Sequence, residues 1–307
     1  MIDRDAGHVA RPAPPLIHTR ATRGGEQSQK RGDMRGYFDP TTATPLVVAY
    51  GGGVNSTAVL AGLQERGIRP AAIVFADTGG EKPATYAFLD TVDTWLASVG
   101  FPAIERVARK PTERAGYKTL EEECLERSQL PSRAYLRGKC SAKWKVSPQA
   151  AWLKSWPHDG LVYRAIGFHV DEQRRIKDHI TDPGVKKVYP LVEWQWGQRE
   201  CLDAIARAGL PRPVKSACFY CPSSSKREVA KLAREAPDLF ARAVAIENGA
   251  IASGMLRSVV GLGVNWRWQD VGRAAVAQDW FEFPDDAQPL PCGCHDGGDP
   301  DDDDDEV

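Results

Sequence analysis

Val47-Val48-Ala49-Tyr50 runs straight into Gly51-Gly52-Gly53, and the chain restarts as Val54-Asn55-Ser56-Thr57-Ala58-Val59-Leu60. A β-branched run, a glycine turn and a helical pattern opened by Ser and Thr is how a parallel strand hands an anion to a helix N-terminus. Backbone N–H groups converge on a phosphate only where no Cβ intrudes, and the helix dipole adds partial positive charge at the same spot. The loop is not a Walker A sequence, since no Gly-Lys-Ser/Thr follows, and its glycines do not fit G-x-G-x-x-G. An ordinary tight strand-to-helix turn has the same local pattern.

The second chemical signal is sulfur. The chain has seven cysteines, which in a cytosolic protein point to metal or redox roles before disulfides. Cys218-Phe219-Tyr220-Cys221-Pro222 spaces two thiolates to meet one metal, with a buried reduced pair as the alternative. Cys292-Gly293-Cys294-His295 lies in a Gly/Pro-rich segment that has no packing reason to hold two thiols, whereas Cys201 falls within a helical pattern and reads as core.

Five stretches in order resemble one family. Gly51 to Ser56 resembles the S-G-G-K-D-S signature of the PP-loop ATP pyrophosphatases, the adenine nucleotide alpha hydrolase-like superfamily. Phe75-Ala76-Asp77-Thr78-Gly79-Gly80, with Pro83, Thr85, Tyr86 and Phe88, is similar to the D-T-G-x-x-F-P-E-T segment of its phosphoadenylyl-sulfate (PAPS) reductase branch. Gly167 to Glu172 with Arg174 and Arg175 resembles G-x-R-x-x-E-S-x-R, Tyr189 to Trp194 resembles P-L-x-x-W, and Cys218 to Pro222 resembles C-x-x-C-P. These cover residues 46 to 270, so the chain is identified as a PAPS-reductase-like member of the superfamily.

The resemblance implies a doubly wound parallel α/β sheet, PP-loop and Rossmann-like, with a smaller C-terminal helical unit. It also implies binding of ATP or an adenylyl sulfate by Gly51, Gly52, Gly53, Asn55, Ser56, Thr57, Asp77, Thr78, Gly79, Gly167, Glu172, Arg174 and Arg175. Ser56 and Asp77 would serve catalysis, Asp77 through a ribose hydroxyl or Mg²⁺; its alternative is a turn-former bonded to its own backbone. His169 is a further phosphate or nucleotide contact on this reading, with a structural histidine as the alternative. Cys140 to Pro148 resembles the C-C-x-x-R-K-x-x-P stretch of the iron-sulfur reductases, with Ser141 where the second cysteine would be. A 4Fe-4S cluster, with zinc as the alternative, would then take Cys140, Cys218 and Cys221 plus a fourth ligand from Cys294, Cys292 or Cys124. Cys292-Gly293-Cys294-His295 also resembles an E-C-G-x-H tail, which would make Cys292 or Cys294 a catalytic nucleophile instead. Two departures stand out: Val54 and Asn55 occupy the usual lysine and aspartate positions. Arg174, Arg175 or Lys143 could return the lost charge.

Three functions remain in play. One is adenylylation by ATP coupled to sulfur transfer, as in nucleic-acid thiolation such as DNA phosphorothioation, with DNA or tRNA as partner and a cysteine desulfurase as donor. Another is thioredoxin-dependent reduction of an adenylyl sulfate, and the third is a non-catalytic nucleotide- or nucleic-acid-binding subunit.

The elements must bring these residues together. Val47–Tyr50, 71–76, 104–107 and 161–167 read as strands; 57–66, 83–98 and 198–208 read as helices, and alternation of the two implies a parallel sheet. Ligands then bind beyond the strand C-termini, where Gly51 to Ser56 and Asp77 to Gly79 stand. Ser225 to Glu228 forms a capping box. The expected organisation is a leader over 1–36, which Met34 could replace as the start, an α/β domain over 37–215, a helical unit over 216–290 and a Cys-containing acidic tail over 291–307. The net charge of −1 includes eight tail acids and a leader excess of three cations, which leaves the body at +4. A basic body suits an anionic ligand, and the stretch 108–150 interleaves Arg109, Lys110, Lys143 and Lys145 with Tyr117, Tyr135 and Trp144, a mix able to grip nucleic acid. No run approaches the roughly 20 apolar residues of a membrane span, and the expected location is the cytoplasm.

Overall fold

The structure is a computed structural model that describes residues 43–135, 137–176 and 184–277. Five strands form one parallel sheet: β1 (Leu46–Tyr50), β2 (Ala72–Asp77), β3 (Ile104–Ala108), β4 (Val162–Ile166) and β5 (Val185–Val188). Their spatial order is β3-β2-β1-β4-β5. The helices are α1 (Val54–Glu65), α2 (Pro83–Ser98), α3 (Leu120–Glu126), the one-turn α4 (Lys139–Ser141), α5 (Ser147–Ser155), the short α6 (Pro190–Glu193), α7 (Gln198–Arg207), α8 (Lys226–Glu235), α9 (Pro237–Ala252) and α10 (Trp268–Ala277).

All five β1 residues are buried, as an apolar strand with helices on both faces requires. Burial of Leu46, Val47 and Val48 contributes about 1.5–3 kcal/mol of hydrophobic stabilisation each. Val47 pairs with Ala72 on one side and Arg164 on the other. Chain direction across the sheet therefore reverses at β1, and the crevice beyond its C-terminus is where an open α/β sheet takes ligands. On one face α1 and α2 bury Leu60, Leu63, Phe88, Val92 and Leu96 against the sheet, joined by Cys201 and Ile205 of α7. Phe88, Val92 and Leu96 are the α2 stripe that the sequence spacing predicts.

A second core lies beside the sheet's ligand edge. It joins Tyr117, Leu120, Cys124 and Trp144 to Phe219, Tyr220, Val229, Ile246 and Trp268. Glu247, fully buried, fastens its last segment by accepting hydrogen bonds from the backbone N–H groups of Leu262 (2.9 Å), Trp268 (2.9 Å) and Gln269 (3.1 Å). Gly261 is required there, because a Cβ would sit 2.4 Å from Glu247 Oε1. The capping box is formed: Ser225 Oγ accepts from Glu228 N–H, and Ser225 N–H donates to the Glu228 carboxylate at 2.8 Å. Two differences from the expected elements have physical causes. Helix α1 starts at Val54, three residues early, because the Ser56 and Thr57 hydroxyls turn back to Gly53 O inside the first turn and leave the N-cap to Gly53. The stretch 139–155 is helical throughout, but a π turn over Ala142–Val146 breaks the 3.6-residue period and hides the helix from a periodicity reading. Among the described residues no helix is long and apolar enough to cross a membrane.

Candidate functional site

The glycine loop closes on itself. Gly51 N–H donates to Ser56 Oγ at 3.1 Å, and Ser56 Oγ donates to Gly53 O at 3.3 Å. Gly52 adopts φ +71°, a left-handed conformation costly for any other residue. The end of β4 crowds the loop so closely that a Cβ on Gly167 would lie 2.8 Å from Ser56 N and 2.9 Å from Asn55 C. Gly51, Gly53, Asn55, Ser56, Gly167, Glu172 and Arg175 all border one cleft of about 360 Å³ at the N-terminus of α1. Thr57 is fully buried, its hydroxyl donating to Gly53 O at 2.8 Å and lying 3.1 Å from Tyr50 Oη, so it braces the helix start from inside.

Asn55 has a clear partner. Its amide donates to Glu172 Oε2 at 2.7 Å, and the other oxygen of Glu172 accepts from Arg175. An aspartate here would face Glu172 with like charge, so the asparagine turns a repulsive pair into a hydrogen bond. His169 stands behind, Nε2 3.5 Å from Glu172 and Nδ1 3.3 Å from Asp171. Arg174 is exposed and outside the cleft lining.

The cleft is otherwise basic, with Lys145, Arg175, Arg212 and Lys215 on its walls. Lys145 approaches the fully buried Glu81 side chain at 2.9 Å, and Lys215 donates to Glu228 at 3.0 Å and to Ser223 O at 2.9 Å. Burial opposes ionisation of Glu228, but the Ser225 backbone and the Lys215 and Lys82 charges hold its carboxyl below the usual range. Ser216 Oγ donates to Gly51 O, tying the segment 210–216 to the loop. Lys143 lies elsewhere, bound to Glu123 beside Tyr117 and Trp144. Arg212 and Lys215 were not legible as site residues because the Pro-rich segment that carries them matches no motif; only the tie from Ser216 to Gly51 brings it to the cleft.

Asp77, Thr78 and Gly79 are not among the residues that line this cleft. Asp77 Oδ1 accepts from Gly79 N–H at 2.8 Å and from Tyr86 Oη at 2.7 Å, a local turn with a phenolic strut. Burial first, and then the Asp77 bond, push the Tyr86 phenol up, so it stays a neutral donor. Gly79, at φ +74°, leaves room for Thr119, and Thr78 Oγ1 lies 3.2 Å from Cys218 Sγ.

Thr78 thus belongs to a second cavity, of about 30 Å³, whose wall carries Cys140, Cys218 and Cys221 with Arg133, Lys145 and Tyr220. Lys145 is common to both cavities. The π turn contributes directly: it carries the chain from half-buried Cys140 to buried Trp144 and Lys145 within six residues. Among the described residues no three His, Cys, Asp or Glu side chains form a group that could hold one metal ion. Cys124 is buried in the same core and burial pushes its thiol up; burial likewise pushes Cys201, remote in α7, up to about 12. Cys292 and Cys294 lie outside the described residues.

No family model matches the chain, and no curated protein matches it. Among solved structures the chain is similar to the U34-tRNA thiolase NcsA from Methanococcus maripaludis with its 4Fe-4S cluster, at 13% identity and a TM-score of 0.38 over 76% of this chain and 81% of that one. A TM-score that low sets two chains side by side without fixing a common site.

What the geometry can do follows from its two halves. A glycine loop at a helix start, with Lys145, Arg175, Arg212 and Lys215 on the walls of its cleft, suits a polyphosphate. The cleft carboxylate is that of Glu172, already engaged by Asn55 and Arg175. The three thiols beside it suit soft-metal or sulfur chemistry.

Proposed function

We propose that the chain is a PP-loop adenine-nucleotide enzyme that activates an acceptor by adenylylation and delivers sulfur to it, with nucleic acid as the acceptor. One observation carries this reading: Cys140 and the Cys218/Cys221 pair, 78 residues apart, line one cavity that shares Lys145 with the basic cleft at the glycine loop. A nucleotide site alone needs no cysteines, and a metal site alone needs no polyphosphate cradle.

In this mechanism the N–H groups of the loop and the Ser56 side chain orient the phosphates, and Lys145, Arg175, Arg212 and Lys215 offset their charge. The acceptor oxygen attacks the α-phosphorus, pyrophosphate leaves into the cationic cleft, and a sulfur nucleophile then displaces AMP from the adenylylated acceptor. Cys140, Cys218 and Cys221 would hold a 4Fe-4S cluster. Three thiols from two segments line one cavity, and Arg133 and Lys145 on its wall would offset thiolate charge. A cluster of this kind supplies, when bound, an iron site that can carry a sulfur. At about 30 Å³ the cavity has room for one water-sized body, so a cluster would need it to widen. The fourth ligand on this reading comes from the Cys292/Cys294 segment, and the sulfur arrives as the persulfide of a cysteine desulfurase, released as sulfide by an external dithiol that is oxidised to its disulfide.

The test is anaerobic incubation of the full chain with ATP, a sulfide source and either tRNA or duplex DNA. The reading requires pyrophosphate and AMP to form in step with thiolated product. Sulfite released from an adenylyl sulfate in the presence of thioredoxin, with no pyrophosphate from ATP, would establish the reductase instead.

A further inference from the structure

The phosphate site has lost the lysine of its signature to Val54, which lies in the first turn of α1 without charge. The four cleft cations differ in what already holds them. Lys145 faces Glu81 at 2.9 Å, Arg175 is paired with Glu172, and Lys215 is bonded to Glu228 at 3.0 Å. Arg212 alone has no ion pair or hydrogen bond among the described residues, although it borders the cleft and is exposed to it.

The backbone around Arg212 is also fixed. It stands between Pro211 and Pro213, so a proline φ precedes it and a following proline confines it to extended conformations. Pro213 is buried, and three residues later Ser216 donates its hydroxyl to Gly51 O. The same segment touches the loop at Gly53, where a Cβ would meet Ser216 Cβ at 3.7 Å. Two prolines and a tie to the loop thus hold the backbone of an unpaired arginine at the rim of the cleft, where it also borders the neighbouring depression.

We infer that Arg212 is the phosphate clamp of this cleft, a binding residue from outside the loop that replaces the missing loop lysine by gripping the terminal phosphates of a nucleoside triphosphate, or the pyrophosphate it releases, through its planar fork. This rests on the nucleotide reading above but singles out a residue that no motif contains. An arginine fork binds phosphate oxygens in pairs, where a lysine acts as a point charge. The Arg212→Lys variant therefore retains only part of the affinity.

The experiment is calorimetric titration of the full chain with ATP, inorganic pyrophosphate and adenosine, in wild type, Arg212→Ala, Arg212→Lys and Arg199→Ala. Arg199 is a highly exposed cation in the neighbouring depression and serves as the charge control. Arg212→Ala is expected to weaken ATP and pyrophosphate by about 10- to 100-fold, the worth of a charged hydrogen-bonded contact, and to leave adenosine unchanged. Arg212→Lys is expected to fall between, and Arg199→Ala to match wild type. Equal pyrophosphate affinity in Arg212→Ala and wild type overturns the inference, as does equal loss of adenosine and ATP. Pyrophosphate binding that depends on Arg212 in a chain that ignores ATP keeps the clamp and refutes the adenine-nucleotide reading. A wild type that binds neither overturns both.

Discussion

Replacing Gly167 by alanine tests the loop geometry most sharply. An added Cβ would lie 2.8 Å from Ser56 N, 2.9 Å from Asn55 C and 3.1 Å from Asn55 O, and all three are backbone atoms that cannot swing aside. Ordinary van der Waals contact begins at 3.4 Å, so β4 and the loop must part by about 0.6 Å. Overpacking of this kind costs about 1–3 kcal/mol of stability. The functional cost is separate. A shift of about 0.6 Å stretches an N–H···O bond of about 2.9 Å to the edge of bonding distance. Losing one charge-assisted bond to phosphate weakens binding by about 10- to 100-fold. Urea denaturation and ATP titration on the same preparation separate the two effects. A Gly167→Ala variant that binds ATP as wild type does, with unchanged stability, would refute the account of how β4 sets the loop.

Three further outcomes follow from the packing. Glu247→Ala strips the acceptor from three backbone N–H groups, and at about 1–3 kcal/mol for each buried unsatisfied group it should cost about 3 kcal/mol or more in urea denaturation; a loss below about 1 kcal/mol would contradict its role as a staple. Gly249, in the middle of α9 with open space where a Cβ would go, should accept alanine with a gain of about 0.5–1 kcal/mol, and a loss there would mean the helix face is covered. The Glu123 carboxyl is held below its usual value of 4.5: burial opposes this, but the Lys143 and Trp144 hydrogen bonds outweigh it. A depressed carboxyl stabilises the fold above its unfolded value and gives that up as pH falls through the folded one. Glu123→Gln should therefore lower stability at pH 7 and flatten its decline below pH 4.5; parallel pH curves for variant and wild type would rule this out.

Much of the frame is readable from local physics. Strand β1, its glycine turn and the boundaries of α2 follow from a β-branched run, three glycines and an apolar stripe closed by Val99-Gly100. The gathering of Cys140 with Cys218 and Cys221 on one cavity is foreshadowed by motif alone. What escaped the sequence has two physical sources. A π turn shifts the register of a helix, so 142–146 looked aperiodic while it buries Trp144 and Lys145. Long-range ties, from Ser216 to Gly51 and from Asn55 to Glu172, leave no pattern in any short window, and they decide which cations face the loop. At Asp77 the structure adds a partner that no motif shows: one carboxylate oxygen accepts from both Gly79 N–H and Tyr86 Oη.

On the proposed function the three cysteines beside the basic cleft form one sulfur-handling centre. Its most direct measurement is iron and acid-labile sulfide per chain after anaerobic purification, with the visible spectrum, for wild type, Cys140→Ala, Cys218→Ala and Cys201→Ala. The account predicts iron and sulfide in equal amounts with broad visible absorption, lost in Cys140→Ala and Cys218→Ala and retained in Cys201→Ala, whose thiol is buried in α7. Zinc without iron, or loading that is indifferent to Cys140, would contradict it.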